Sequence, residues 1–154
     1  MKHQFSIQKL TIQAGWLDMT ILDEEKETVL TASYLSDAIS DFAMAIILLC
    51  EGAKERSFTW MSEPGEIQWT ISNSDQLASI KVVYLLYNEG TMTCDEEVLF
   101  IGQVSLVKLA REALRALNRL NMEYPGEVYK SAWHKDYAFP ENAVHRLSNA
   151  IKIL

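Results

Sequence analysis

Cysteine is nearly absent. Cys50 and Cys94 are the two in the chain, and they sit in unlike surroundings. Cys50 closes an apolar helical stretch, and Cys94 precedes three carboxylates in what reads as a polar loop. That scarcity excludes a disulfide framework and leads us to expect two free thiols in a reducing, cytoplasmic compartment. The acidic run after Cys94 would raise a thiol pKa, so a cysteine nucleophile is not expected there. Histidines are three, His3, His134 and His145. No Cys-x-x-Cys, His-x-x-x-His or His-x-Glu spacing occurs, which leaves a transition-metal site without its ligand pattern. Among the six glycines, Gly52, Gly65, Gly90 and Gly102 stand alone, so no phosphate-cradling loop is present. With three prolines there is no low-complexity linker either. Ser36, Ser62 and Ser105 lack a Gly-x-Ser-x-Gly frame. Long apolar runs are missing: Phe42 to Cys50 is the longest, too short to cross a bilayer. The opening Met-Lys-His-Gln-Phe-Ser-Ile has no signal-peptide core. The expectation is no membrane segment and no cofactor.

What the chain does have is uneven charge. The formal net charge is −7 over 154 residues. Residues 10–97 hold sixteen acidic and four basic residues, a balance of −12. Residues 98–154 hold five acidic and eight basic, a balance of +3. One large part is a strong anion, which favours a cationic partner and electrostatic steering toward it. Apolar residues make up 49% of the chain, enough for one core in a single domain over residues 1–154.

The periodicities set the order of elements. Residues 4–13 and 16–22 read as strands joined at Ala14-Gly15. Phe5 and Ile7 are in one phase, Leu10 and Ile12 in the other, and the switch predicts a bulge near Gln8-Lys9. A third strand covers about 28–34. Ser36 can cap a helix over 36–51 that is apolar on both sides, which predicts burial on both. Phe58-Trp60, 67–71, 77–87 and 96–103 read as four more strands. The run 77–87 is apolar on both faces and is predicted to be central. Between the first two of these strands, Glu63-Pro64-Gly65-Glu66 fits a type II turn with positive φ at Gly65. A helix over 104–121 has Leu106, Leu109, Ala110, Ala113, Leu114, Leu117 and Leu120 on one face. Lys108, Arg111, Arg115 and Arg119 form a stripe on the other. A last helix opens at Pro140-Glu141. Strands in runs, not singly alternating with helices, predict an α+β fold with antiparallel sheets and two main helices.

Three acidic segments are the candidate docking residues: Asp23, Glu24, Glu25 and Glu27; Glu63 and Glu66; Asp95, Glu96 and Glu97. Each read alone is a solvated loop, and none has calcium-loop spacing. Together they make a candidate surface for a basic partner. The basic stripe could meet phosphates. Glu112 lies inside it, however, and the field of the whole protein repels nucleic acid. The aromatics Tyr124, Tyr129, Trp133, Tyr137 and Phe139 read as a plug over a sheet end, with a binding platform as the alternative.

The segment Glu63-Pro64-Gly65-Glu66-Ile67-Gln68-Trp69, with an aromatic stretch around Tyr129, Trp133 and Phe139-Pro140, resembles the small immunity proteins of bacterial contact-dependent inhibition and polymorphic toxin systems. That resemblance implies a non-catalytic protein that neutralises a cognate protein toxin, often a basic nuclease. It supplies no contact residues. The strand and helix order also resembles the Whirly type of single-stranded-nucleic-acid fold, but the anionic sheets depart from that function. The expected activity is therefore partner binding by acidic loops laid over a basic cleft. The alternatives are a small enzyme with paired carboxylates and a structural or regulatory homo-oligomer subunit; a homodimer is left open.

Overall fold

The computed structural model describes residues 4–154, so His3 lies outside the described residues. Strands β1 (Phe5–Gln13), β2 (Trp16–Asp23) and β3 (Lys26–Ser33) come first, followed by helix α1 (Ala38–Cys50). Then come β4 (Glu55–Met61), β5 (Glu66–Ser74), β6 (Leu77–Tyr87) and β7 (Cys94–Ser105), and helices α2 (Leu106–Glu123), α3 (Glu127–Ala132) and α4 (Glu141–Lys152). The fold is α+β, with two antiparallel sheets in the orders β1-β2-β3 and β4-β5-β6-β7.

Short hairpins close both sheets. Ala14-Gly15 and Asp75-Gln76 take positive φ at both loop positions, the handedness that matches strand twist. The bulge near Gln8 is present: Ile7 pairs with Ile21 and Lys9 with Thr20, so Gln8 is the extra residue. At the β4–β5 turn Gly65 has the expected positive φ, +81°, and the Glu63-Pro64 peptide is cis. β6 is central, as its apolar run predicts.

One core joins the sheets and helices. Phe42 of α1 packs on the inner face of the four-stranded sheet, against Trp60 and Trp69 at ring distances of 6.3 and 5.5 Å. Phe5 meets Phe100 at 6.4 Å and links the two sheets. Trp60 donates its Nε1–H to the Ala38 carbonyl at 3.0 Å, tying β4 to the start of α1. α1 is buried on both sides, because α4 covers the side away from the sheet. Arg146 of α4 grips Glu51 through two bonds, of 2.8 and 2.5 Å. The aromatic tail behaves as the plug: Tyr129 and Trp133 are buried, and the Gly15 amide donates to the Ala132 carbonyl at 3.0 Å. Among the described residues no helix is long and apolar enough to cross a membrane.

Three local expectations are corrected. Asp37, not Ser36, occupies the cap position of α1. Its carboxylate makes no capping bond to a helix amide but accepts from Ser40 Oγ at 2.8 Å and Trp133 Nε1 at 3.3 Å. Cys94 and Asp95 are not in a loop but extend the strand expected over 96–103, inside which Glu96 and Glu97 lie. These four residues begin β7, paired with Tyr87, Leu86, Leu85 and Tyr84 respectively. The ladder is made by backbone groups, and on an edge strand carboxylates can stay in water and discourage edge-to-edge pairing. Glu112 is not a surface charge within the stripe but is buried.

Candidate functional site

Side chains alternate along a strand, so the buried residues reveal which face is open. Trp60, Ile67, Trp69, Ile71, Ile80, Val82, Phe100 and Val104 point into the core. Their neighbours therefore form the outer face of the four-stranded sheet, which is exposed to solvent along most of its length. Toward its β5–β6 hairpin this face is small and polar. Thr70, Ser72, Ser79, Lys81, Ile101 and Gln103 line a shallow depression of about 450 Å³ there, and Gln103 donates to Ser79 Oγ at 3.0 Å.

Toward the β4–β5 turn the face changes character. Glu66, Leu85 and Glu96 lie side by side on β5, β6 and β7. At the usual strand spacing the two glutamates stand about 10 Å apart at their Cα atoms. Tyr87, next outward on β6, donates its hydroxyl to Glu66 Oε1 at 2.7 Å. That bond to a carboxylate, with its negative charge, raises the Tyr87 pKa and keeps the phenol a neutral donor. Tyr84, from the other side of β6, donates to the Pro64 carbonyl at 2.8 Å and pins the turn that carries Glu63. Gly65 is needed for the same approach: a Cβ there would sit 2.6 Å from the Leu85 carbonyl oxygen and 2.8 Å from Tyr84 Oη. Tyr87, Val98 and Ile101 are 60%, 53% and 70% exposed. Apolar anchors rimmed by carboxylates are the composition of a protein interface.

The three acidic segments therefore form two groups. Glu63, Glu66, Asp95, Glu96 and Glu97 share one end of the four-stranded sheet, with Glu66 and Glu96 on its outer face and Asp95 and Glu97 alternating to the other. Asp23, Glu24, Glu25 and Glu27 lie on the β2–β3 hairpin, which meets β7 farther along: a Cβ on Gly102 would fall 2.8 Å from Asp23 Oδ2. Five residues separate Glu97 from Gly102, roughly 16 Å of strand. The Glu24 amide donates to the Gln4 carbonyl at 2.7 Å, so this hairpin is also tied to the start of β1. Sequence reasoning missed Leu85, Tyr87, Val98 and Ile101. For Leu85 and Tyr87 the signal is that 77–87 is apolar on both faces, a pattern that equally fits a central strand covered on both sides.

The basic stripe has a structural role. The Glu112 carboxylate accepts the Ile7 amide at 3.0 Å and the Arg115 guanidinium at 2.5 Å, with Lys108 Nζ at 3.9 Å. Ile7 sits beside the bulge on β1, an edge strand, so Glu112 satisfies a backbone donor that the sheet leaves over. Arg119 donates to the Gln8 carbonyl at 3.4 Å and to Glu123 at 2.9 Å.

Other titratable groups sit in the core or at helix ends. Burial, with the Glu51 charge, pushes the Cys50 thiol up to about 11, which makes it unreactive. Burial first, and then Asp37, raises Tyr129, whose hydroxyl is buried without a protein partner. Burial and Asp37 likewise raise Asp41. Among the described residues no group of three or more His, Cys, Asp or Glu side chains is placed to hold a metal ion. No family model, characterised protein or solved structure matches this chain.

Proposed function

We propose that the protein is a binding module that docks the carboxylate-rimmed end of its four-stranded sheet onto a cationic protein. Its most concrete form is the neutralisation of a basic toxin in the cytoplasm by covering the active-site cleft. One observation carries the reading: Glu66 and Glu96 flank the buried Leu85 in register at the end of the outer sheet face, beside an oriented, exposed Tyr87. Tyrosine at the centre of a docking surface supplies contact area at low entropic cost, while rim carboxylates raise the encounter rate and select against acidic partners. The buried carboxylate that an enzyme reading would favour, Glu112, is already engaged by the Ile7 amide and Arg115.

The test uses charge-reversed pairs: Glu63→Lys with Glu66→Lys, Glu96→Lys with Glu97→Lys, and Glu24→Lys with Glu25→Lys. Association with a catalytically inactive toxin domain encoded beside the gene is followed across a salt series. The first two pairs are expected to slow association about tenfold at low salt, with the difference shrinking as salt screens it. The hairpin pair, farther along the sheet, should act less. Except where the Tyr87 bond is lost, stability should stay within about 0.5 kcal/mol. Association at the wild-type rate in all three variants would remove the acidic end as the docking surface.

A further inference from the structure

A second surface, of opposite sign, lies between α2 and α4. On α2, two rows at i, i+4 spacing line a groove of about 610 Å³: Arg111, Arg115 and Arg119, and beside them Leu114, Asn118 and Met122. Ile151 and Lys152 of α4 form part of the opposite wall. No residue lining it is acidic. Two of the cations are already held in place, Arg115 by Glu112 and Arg119 by Glu123, yet their side chains remain 63% and 61% exposed. Anchored but reachable guanidinium groups lose little freedom when a carboxylate arrives.

We propose that this groove docks an acidic amphipathic helix of a partner protein. Ridges at i, i+4 spacing on one helix accept the ridges of another, and here one such row is cationic and its neighbour is largely apolar. An entering helix would place leucine-like residues at i, i+3, i+4 and i+7 over Leu114, Met122 and Ile151, with glutamates toward Arg111, Arg115, Arg119 and Lys152. Nucleic acid fits less well, because phosphates make no use of the apolar floor and the net charge of −7 repels a polyanion. The site is separate from the acidic sheet end, so the protein would carry two docking surfaces of opposite charge.

The probe is a fluorescein-labelled designed helix of about 18 residues, long enough to hold helical structure, with leucine on one face and glutamate on the flanks. An otherwise identical lysine version is the control. Fluorescence anisotropy with the full-length protein should show saturable binding of the glutamate helix, at least about tenfold tighter than the lysine helix, and weakening with salt. Arg111→Glu combined with Lys152→Glu should weaken it about tenfold or more, and so should Met122→Asp on the apolar floor. Both variants alter exposed positions, and circular dichroism checks that the fold is kept. Equal binding of the two peptides, or wild-type binding by both variants, would overturn the assignment. So would sedimentation showing that the protein self-associates and that the groove variants abolish it, since a second copy would then be the occupant.

Discussion

The outer side of α2 and the end of the four-stranded sheet begin as the same kind of signal, a cluster of like charges on a predicted surface. They differ in how far the fold itself uses them. Along α2, Lys108, Arg115 and Arg119 gather around Glu112, Glu123 and the Gln8 carbonyl, and the cluster seals the bulged edge of β1. At the sheet end Glu96 and Glu97 lie exposed on an edge strand, and the Glu66 carboxylate accepts from the tyrosine that stands out beside it. Charges that meet a leftover backbone group become part of the fold. Charges arrayed on an open face remain available to a partner.

The sharpest way to break this contrast is at Glu112. Glu112→Ala should cost roughly 3 kcal/mol, because it leaves the Ile7 amide without its acceptor and Arg115 without its counter-charge. Glu112→Gln, which keeps an acceptor oxygen, should recover a substantial part. Denaturant unfolding of the two variants checks this, and equal, small losses would mean that Glu112 does not seal the β1 edge. A smaller effect is expected at the sheet end, where what matters for folding is the turn and not the charge. Gly65→Val should cost about 1–3 kcal/mol, since it forces a β-branched residue to positive φ and into contact with Leu85 and Tyr84. A melting temperature equal to wild type would show that the turn adopts another geometry.

The smallest effect is read through pH, at a third charged contact that holds elements together. The hydrogen bonds and charge of Arg146 hold the Glu51 carboxyl below the usual carboxylate range. Its contribution is therefore present above the unfolded value of about 4.3 and is lost as pH falls through the lower folded value. Arg146→Ala should flatten the decline of melting temperature on acidification below about pH 4. Asp41, raised by burial and by Asp37, contributes with the opposite sign and is unaffected by that variant. An unchanged acid slope would show that the α1–α4 ion pair adds nothing to stability.

Much of the fold was legible in the residues. The phase switch between Ile7 and Leu10 marked the bulge, Pro64-Gly65 marked a turn with positive φ, and the doubly apolar 36–51 segment marked a helix covered on both sides. Less of the candidate site was legible. Cys94 and Asp95 read as a loop ahead of the 96–103 strand because aspartate is a poor strand former, yet β6 is long enough to draw them into its ladder. The open outer face was hidden because an apolar residue in a strand carries no mark of which sheet surface will be covered. Asp37, not Ser36, takes the cap position, and its carboxylate meets Trp133, 96 residues away, a contact no short window of sequence shows.

The sequence by itself determined the succession of the seven strands and of α1, α2 and α4, though not the short α3, together with the surplus of negative charge, because these depend on periodicity, backbone conformation and composition within short windows. Only the tertiary structure decided which charges are consumed and which are offered. Glu112 and the amide it accepts are 105 residues apart, and Glu66 meets Tyr87 across 21. Pairings at those distances follow from strand register and helix packing, and side-chain chemistry alone does not encode them.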